Sequence, residues 1–99
     1  MPFEVELTEA AKQDYLALDA RWRATVRSAF KHHLTNEPKK ESKSRIKRLR
    51  GTRKPQYRLR VDDLRVFYDV SSSIVTVLAI VLKSRAGDWL DSNAEWIND

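Results

Sequence analysis

Hydrophobic and polar side chains alternate along residues 57–70, in two runs that flank the dipeptide Asp62-Asp63. Such alternation around a short polar turn is typical of a β-hairpin. With the two aspartates as the turn, Arg60 lies directly opposite Arg65, and a four-residue loop from Val61 to Leu64 gives the same pairing. One face of this hairpin is hydrophobic and carries Tyr57, Leu59, Val61, Leu64, Val66 and Tyr68. The other face carries Arg58, Arg60, Arg65 and Phe67.

The pairing of Arg60 with Arg65 has no evident structural benefit, because like charges directly opposite each other destabilise a sheet. An anion bound between the two guanidinium groups would offset that repulsion. We therefore expect the arginines to lie on a solvent-exposed sheet face and to bind an anion. The side chains expected to be more buried than the arginines are Tyr57, Leu59, Val66 and Tyr68.

The N-terminal third of the chain predicts a strand followed by two helices. Residues 3–7 alternate strictly and indicate the strand. Thr8 is a favourable N-cap for a first helix that ends near Leu18, and Asp19 can cap the second helix. Hydrophobic side chains follow at helical spacing in the second helix, at Trp22, Val26, Ala29, Phe30 and His33. The two helices therefore form an αα-hairpin, and the helical pattern ends at Pro38.

The remaining pattern predicts further strands around the hairpin. Residues 44–50 indicate a strand that ends at Gly51. Residues 74–82 are hydrophobic on both faces, which suits a central strand covered on both sides. Residues 88–97 predict a short helix or loop. Together these elements predict an α+β fold, in which the N-terminal strand and the αα-hairpin pack on a small antiparallel β-sheet.

The length of the chain and its cysteine content indicate the number of domains and the cellular compartment. Ninety-nine residues correspond to one domain, and we assign residues 1–99 to it. The absence of cysteine favours a reducing cytoplasm. The N-terminus lacks the charged and hydrophobic regions of a signal peptide, and the hydrophobic run at 74–82 is too short to cross a bilayer. We therefore expect a cytoplasmic protein without a membrane partner.

Positive charge is concentrated in the middle of the chain. Residues 39–65 hold 12 Lys or Arg and three acidic residues, a net charge of +9 in a chain of net charge +5. A concentrated basic region is the electrostatic signature of a nucleic-acid-binding protein. A solvated basic face that only keeps the protein soluble is the alternative. The arginines favour nucleic-acid binding, because they alternate along a strand and do not form a tail.

Metal and nucleotide-cofactor sites receive no support from the sequence. His32 and His33 are adjacent on a predicted helix, so their side chains point about 100° apart, and no Cys, Asp or Glu lies nearby at ligand spacing. The two glycines of the chain, Gly51 and Gly87, do not form a glycine-rich phosphate loop. No nucleophile-elbow sequence surrounds a serine. We predict neither a metal nor a cofactor.

Four segments carry a family resemblance that spans the whole chain. They are Lys47-Arg48-Leu49-Arg50-Gly51, Tyr57-Arg58-Leu59-Arg60-Val61, residues 63–70 and residues 75–81. In this order, after a strand and two helices, they resemble the RelE/ParE superfamily of bacterial toxins from toxin–antitoxin systems. The resemblance identifies the fold and the biological context better than it identifies the activity.

The RelE-like branch of that superfamily implies an endoribonuclease, an mRNA interferase that needs no metal and inhibits translation by cleaving mRNA on the ribosome. The 2′-hydroxyl of the RNA attacks the adjacent phosphate, and basic side chains on the sheet stabilise that phosphate. By this resemblance Arg58 and Arg65 occupy the catalytic positions, and the hairpin pairing adds Arg60. The expected RNA-binding residues are Lys47, Arg48, Arg50, Lys54, Lys83, Arg85 and Trp89. The expected partners are a cognate antitoxin, the ribosome and mRNA.

Three positions depart from the RelE-like pattern. Gln56, Ser84 and Trp89 lie where the pattern has a lysine, an arginine and a tyrosine. Trp89 can stack on a base but cannot transfer a proton, and a place in the core or against the antitoxin suits it equally. The acceptor of the 2′-hydroxyl proton stays unassigned, because arginine remains protonated. Two alternatives stay open: a ParE-like toxin that binds and inhibits DNA gyrase without chemistry, and a decayed toxin retained as a nucleic-acid-binding module.

Overall fold

Seven strands and three α-helices make up the computed structural model, which describes residues 2–97. The helices are α1 (Glu9–Ala17), α2 (Ala20–Ala29) and α3 (Ala86–Asn93). The strands are β1 (Glu4–Leu7), β2 (Ile46–Arg48), β3 (Thr52–Lys54), β4 (Tyr57–Val61), β5 (Leu64–Ser71), β6 (Ile74–Leu82) and β7 (Glu95–Trp96). Of the helices within residues 2–97, none is both long enough and hydrophobic enough to span a membrane.

The β4–β5 hairpin has the register that the alternation predicts. Val61 pairs with Leu64, Arg60 with Arg65 and Tyr57 with Tyr68. Asp62 adopts the left-handed conformation, with φ of 50°, at the first position of the turn. Aspartate tolerates this conformation better than most residues, which suits it to a two-residue hairpin turn.

Five of the strands form one sheet, in the order β1-β6-β5-β4-β2. Neighbouring strands from β2 through β4 and β5 to β6 are antiparallel, as predicted. The N-terminal strand β1 pairs in parallel with β6, which makes the sheet mixed. Residues 74–82 are confirmed as an interior strand, because β6 has a neighbour on each side. The sequence did not predict the parallel pair, since alternation within a strand does not encode the direction of its neighbour.

The αα-hairpin covers one face of this sheet, and its predicted caps are confirmed. The Thr8 side chain accepts a hydrogen bond from the Ala11 N–H, and Asp19 accepts one from the Trp22 N–H. Each cap satisfies a backbone donor that the helix itself leaves free. After α2 the chain continues in a π-helical turn, Phe30–Leu34. The core between helices and sheet is built from Ala11, Val26, Phe30, Leu34, Ile46, Leu59, Val61, Leu64, Val66, Tyr68, Val75, Val77 and Ile80.

An irregularity in β6 decides which of its side chains face the helices. Phe67 pairs with Ala79, but the next residue, Tyr68, pairs with Val77, so Leu78 is an extra residue in β6. Such a bulge shifts the alternation by one position. Val77 and Ile80 can therefore both point into the core, although their spacing in an unbroken strand would place them on opposite faces.

Helix α1 also protects the edge of β6 that β1 leaves open. The strand β1 ends at Leu7, which pairs with Val77, and beyond that point the Ile80 N–H donates a hydrogen bond of 3.0 Å to Asp14 Oδ2 in α1. A partly buried backbone donor without an acceptor is destabilising. Asp14 thus anchors the first helix to the central strand.

Asp14→Ala is expected to lower the free energy of unfolding by about 1–3 kcal/mol, because it leaves the Ile80 N–H without its acceptor. Gln13→Ala is the control, since the Gln13 amide contacts only Glu9 on the exposed surface of α1, at 3.1 Å. It is expected to change stability by less than about 0.5 kcal/mol. Urea denaturation measures both variants, and equal midpoints would contradict the anchoring role of Asp14.

The prediction of a strand over residues 44–50 is too long at both ends. Ser42 Oγ accepts hydrogen bonds from the backbone N–H groups of Arg45 and Ile46, at 3.0 and 3.4 Å, so the chain is still turning when it reaches β2. At the other end Gly51 has a φ of 78°, which reverses the chain. The short strand β3 then pairs with β7 in a second sheet that the sequence did not predict.

Candidate functional site

The sheet face opposite the αα-hairpin is divided into a covered half and an open half. In the covered half the Trp89 ring of α3 stacks on Phe67, with ring centroids 4.8 Å apart and planes 7° from parallel. This contact explains why Phe67 is fully buried, although it shares its face with arginines. The open half carries Arg58 and Arg60 of β4 and Arg65 of β5.

A cleft of about 140 Å³ lies over the open half of this face. It is called the arginine cleft below, and it is lined by Ser42, Lys43, Ser44, Arg45, Ile46, Lys47, Arg58, Arg60 and Arg65. None of these lining residues is acidic. Within residues 2–97 the one ion pair is Lys40–Glu37, at 3.5 Å on the surface, so no carboxylate of the described chain forms an ion pair with the arginines of the cleft. The cleft is thus a concentrated positive site that lacks a counter-ion from the described chain.

Arg65 is buried, with 7% of its surface exposed, so the prediction that it lies exposed on the sheet is wrong. Its guanidinium folds back over the hairpin turn, where Nη1 donates to the carbonyls of Asp62 and Leu64, at 2.9 and 2.8 Å. The expectation that Tyr57 is more buried than Arg65 is therefore also wrong, because Tyr57 is only half-buried. Leu59, Val66 and Tyr68 are fully buried, as expected.

The charge of Arg65 is held in an unfavourable environment. Burial lowers its pKa, and the positive charges of Arg58 and Arg60 lower it further, against a smaller opposing effect of Asp63. Arginine stays protonated in spite of such a shift. The lowered pKa therefore reports first the burial of the charge and then its repulsion by the neighbouring arginines, and an anion in the cleft would relieve that repulsion.

Arg58 has the clearest unmet bonding capacity in the cleft. Its Nε atom is buried and has no hydrogen-bond partner in the described chain. A buried donor without an acceptor is destabilising, so nearly all such groups in folded proteins are paired. An oxygen atom of a bound anion would supply the missing acceptor.

The edge strand β2 and the loop before it supply the remaining wall of the cleft. Lys47 pairs with Arg58 in register and lines the cleft. Lys43 and Arg45 line it as well, with Ser42 and Ser44. These four residues were not singled out from the sequence. Arg45 alternates with Lys47 and could have been found, whereas the loop residues reach the cleft only because Ser42 turns the chain.

Arg48 lies outside the arginine cleft. It pairs with Tyr57, and its guanidinium lies 5.2 Å from the centroid of that ring. Its Nη1 donates to the Gln56 carbonyl at 2.7 Å. In a strand, successive side chains alternate between faces, which puts Arg48 on the opposite side of β2 from Lys47. Arg48 therefore packs against the end of the β4–β5 hairpin.

The other expected RNA-binding residues are also outside the cleft. Arg50 lies exposed in the bend before β3, and Lys54 pairs with Glu95 in the second sheet. Lys83 begins a 3-10 turn, where its N–H donates to the Asp63 carbonyl at 2.7 Å. Arg85 and Trp89 line a separate hollow beside α3, with Val81, Asp88, Ser92 and Asn93. The structure thus brings Lys47 and the three hairpin arginines together. It leaves Arg50, Lys54, Lys83 and Arg85 at the periphery of the sheet, and Trp89 stacked on Phe67 in the covered half.

Gln56 has a structural task at the end of the sheet. Its Oε1 accepts from the Val70 N–H at 2.9 Å, and its own N–H donates to Asp69 Oδ1 at 2.7 Å. Burial raises the pKa of Asp69, against the smaller effects of that hydrogen bond and of Lys54. The Gln56 side chain is therefore held by the backbone of β5 and is not directed at the arginine cleft.

The geometry of the arginine cleft suits an anionic oxygen cluster such as a phosphodiester. A guanidinium group can hold two phosphate oxygens at once, and charge-assisted hydrogen bonds of this kind are among the strongest in proteins. Cations fixed before the ligand arrives also favour any reaction step in which negative charge accumulates on phosphate.

Comparison with known proteins gives the chain a family. The sequence family described as the ParE toxin of type II toxin–antitoxin systems, parDE, matches residues 5–87. None of the curated protein sequences matches. The structure is similar to a chain of the archaeal RelE–RelB complex from Pyrococcus horikoshii OT3, with 25% identity, a TM-score of 0.69, and coverage of 87% of this chain and 100% of that chain. It is also similar to a chain of the RelBE2 toxin–antitoxin complex from Mycobacterium tuberculosis, with 26% identity, a TM-score of 0.63, and coverage of 83% and 99%.

Proposed function

Since the chain belongs to the ParE toxin family of type II toxin–antitoxin systems, we propose that this toxin is a metal-independent endoribonuclease, which cleaves mRNA on the translating ribosome and thereby inhibits translation. The observation that carries this proposal is the arginine cleft. It holds Arg58, Arg60 and Arg65 without a neutralising carboxylate from the described chain, and Arg58 Nε is buried there without an acceptor.

The reaction that suits the cleft is transesterification within the RNA. The 2′-oxygen forms a bond to the adjacent phosphorus, the bond from phosphorus to the 5′-oxygen breaks, and a 2′,3′-cyclic phosphate and a 5′-hydroxyl result. The pentacoordinate transition state carries more negative charge than the starting phosphodiester. Arg58, Arg60 and Arg65 would therefore bind the transition state more tightly than the substrate, which is the requirement for catalysis.

Proton transfer is a separate requirement of that reaction. The 2′-hydroxyl gives up a proton, and the leaving 5′-oxygen gains one. Arginine cannot serve as the base because it stays protonated, and the lining of the cleft includes neither a carboxylate nor an imidazole. The cleft therefore supports catalysis through stabilisation of charge.

The proposed protein partner is a cognate antitoxin with an acidic segment. Both solved structures described above are complexes with an antitoxin. An acidic segment laid over the arginine cleft would neutralise it and compete with RNA for the same cations. The proposed site of action is the cytoplasm, where the ribosome and mRNA are found.

One experiment separates this proposal from the alternative of a ParE-like gyrase inhibitor. The toxin is added to a translation extract, and primer extension maps the 5′ ends of a reporter mRNA. We expect cuts inside the coding region, and none in a matched mRNA that lacks its start codon and is not translated. Intact mRNA together with inhibition of DNA supercoiling by purified gyrase would contradict the proposal and support the ParE-like function, which the description of the matched family favours.

A further inference from the structure

A second depression lies on the helix side of the sheet, between α2 and the turn of the β4–β5 hairpin. Its volume is about 450 Å³. We call it the α2 groove. Three small or aliphatic side chains, Ala24, Ala29 and Val61, supply its apolar part, and the polar lining is formed by Thr25, Ser28, His32, His33, Arg45 and Asp62. Small-molecule sites combine apolar surface with polar groups that fix the orientation of the ligand.

The sequence of α2 explains why the groove is present. Positions 24, 28 and 29 carry the small residues Ala, Ser and Ala. The surface of α2 is therefore recessed at these positions, where larger side chains would fill the space. The π-helical turn Phe30–Leu34 then places both histidines at the end of the groove. Such wide turns are rare and often occur at functional sites.

The two histidines supply hydrogen-bonding groups at one end of the groove. His32 Nδ1 lies 2.8 Å from the Ser28 carbonyl, and because a carbonyl can only accept, Nδ1 carries the proton. In the neutral ring, Nε2 is then an acceptor. Burial lowers the pKa of His33, and the charges of Arg45 and His32 lower it further, which favours a neutral imidazole. Hydrogen-bonding ring nitrogens of this kind suit the edges of a nucleobase.

Arg45 joins the α2 groove to the arginine cleft. It lines both depressions, because it lies just before the edge strand β2, where the sheet has no further neighbour. Its backbone is held in place by the Arg60 N–H, which donates to the Arg45 carbonyl at 2.9 Å. An extended ligand that leaves the arginine cleft over this edge of the sheet therefore passes Arg45 and enters the α2 groove.

We propose that the α2 groove binds a nucleobase of the same RNA strand whose phosphate lies in the arginine cleft. The RNA strand bends around the edge of the sheet at Arg45, and the flanking base lies on Ala24 and Ala29. This inference rests on the proposed function, and it adds a substrate contact on the helix side of the sheet. RNA-binding proteins read unpaired bases in this manner, by contact with base faces and hydrogen bonds to base edges.

Short oligonucleotides with 2′-O-methyl groups test the proposal, because they lack the nucleophile and cannot be cleaved. Fluorescence anisotropy gives the Kd of the full-length toxin for a dinucleotide, and for the same dinucleotide extended by two nucleotides at its 5′ or its 3′ end. We expect extension at one of the two ends to tighten binding by about tenfold, a gain typical of one well-bound base. Equal affinities for all lengths would overturn the proposal.

Ala24→Leu tests the place of that gain, because a branched aliphatic side chain on this exposed alanine fills the groove without entering the core and offers no ring on which a base can stack. It should abolish the tenfold gain on extension and leave the Kd for the dinucleotide unchanged. Ala20→Leu is the matched control: Ala20 is also exposed and lies four residues earlier on α2, outside the groove lining, so this variant should keep the full gain. A gain that survives in Ala24→Leu would overturn the assignment to this groove.

Arg60→Ala separates the two proposals. It should raise the Kd of every oligonucleotide by a similar factor and preserve the ratio between the Kd values of the short and the extended oligonucleotides. An unchanged dinucleotide affinity in Arg60→Ala would count against the arginine cleft, and hence against the proposed function. Failure of the Ala24→Leu test alone would leave the arginine cleft and the proposed function in place.

Discussion

Arg58→Gln is expected to reduce mRNA cleavage by about 100-fold or more, and to leave the fold intact. The expected loss is that of one charge-assisted contact to a transition state, which typically costs a factor of this order. Arg58 is chosen over Arg65 because the Arg65 guanidinium also donates to the carbonyls of Asp62 and Leu64. Its replacement would disturb the hairpin turn as well as the cleft. Arg58 Nε makes no such bond in the described chain.

Arg58→Gln removes a cation from the cleft, so it is also expected to affect the free energy of unfolding. The Arg58 charge acts unfavourably on Arg65, so its removal should leave the free energy of unfolding unchanged or raise it by about 0.2–1 kcal/mol. Lys12→Gln is the matched control, because Lys12 is exposed on α1, on the other side of the sheet. It should cleave like the unsubstituted toxin. A folded Arg58→Gln protein with full cleavage activity would remove the arginine cleft as the active site.

Leu59→Ala is expected to lower stability and leave the cleavage activity close to normal, although Leu59 is the next residue in β4. Leu59 is fully buried in the core under the αα-hairpin. Truncation of a buried leucine to alanine costs about 2–5 kcal/mol, from lost burial and from the cavity that remains. For a domain of this size each kcal/mol lowers Tm by about 4–8 °C. Thermal unfolding followed by circular dichroism measures the change.

The activity of Leu59→Ala should remain close to normal at temperatures where the variant is folded, because Leu59 does not line the cleft. Leu16→Ala provides the matched control. Leu16 lies on α1 with 55% of its surface exposed, so the same substitution there should change stability by less than about 0.5 kcal/mol. Similar Tm values for the two leucine variants would contradict the packing described for β4.

The contrast between Arg58 and Leu59 also shows what the sequence could predict. Strict alternation around Asp62-Asp63 was enough to predict the register of the β4–β5 hairpin, since a shift of one residue would put arginines into the core. The helix caps at Thr8 and Asp19 were predictable for a similar reason, because they are local and each depends on a few neighbouring residues. Patterns of this kind need no knowledge of distant contacts.

Features that leave no periodic pattern in the sequence were not predictable. The burial of Arg65 arises because the hairpin turn presents carbonyl oxygens that recruit its guanidinium. The pairing of β3 with β7 joins strands of three and two residues, too short to produce a periodic pattern. The loop wall of the arginine cleft depends on the hydrogen bonds of Ser42, which place residues 42–45 beside β4. The site was therefore predicted in its hairpin arginines and Lys47, but not in its loop.

The unneutralised charge of the arginine cleft has a consequence for the amount of folded toxin. Any ligand that binds the folded chain and not the unfolded one stabilises it by mass action, by about 2.7 kcal/mol when its concentration is 100 times its Kd. In the ligand-free toxin, the unpaired Arg58 Nε and the repulsion of Arg65 by its neighbouring arginines lower the free energy of unfolding. The folded population therefore increases when a polyanion binds in the cleft. Such a partner would extend the lifetime of the toxin while it blocks the cleft. Inhibition and protection from degradation would then be two results of one binding event.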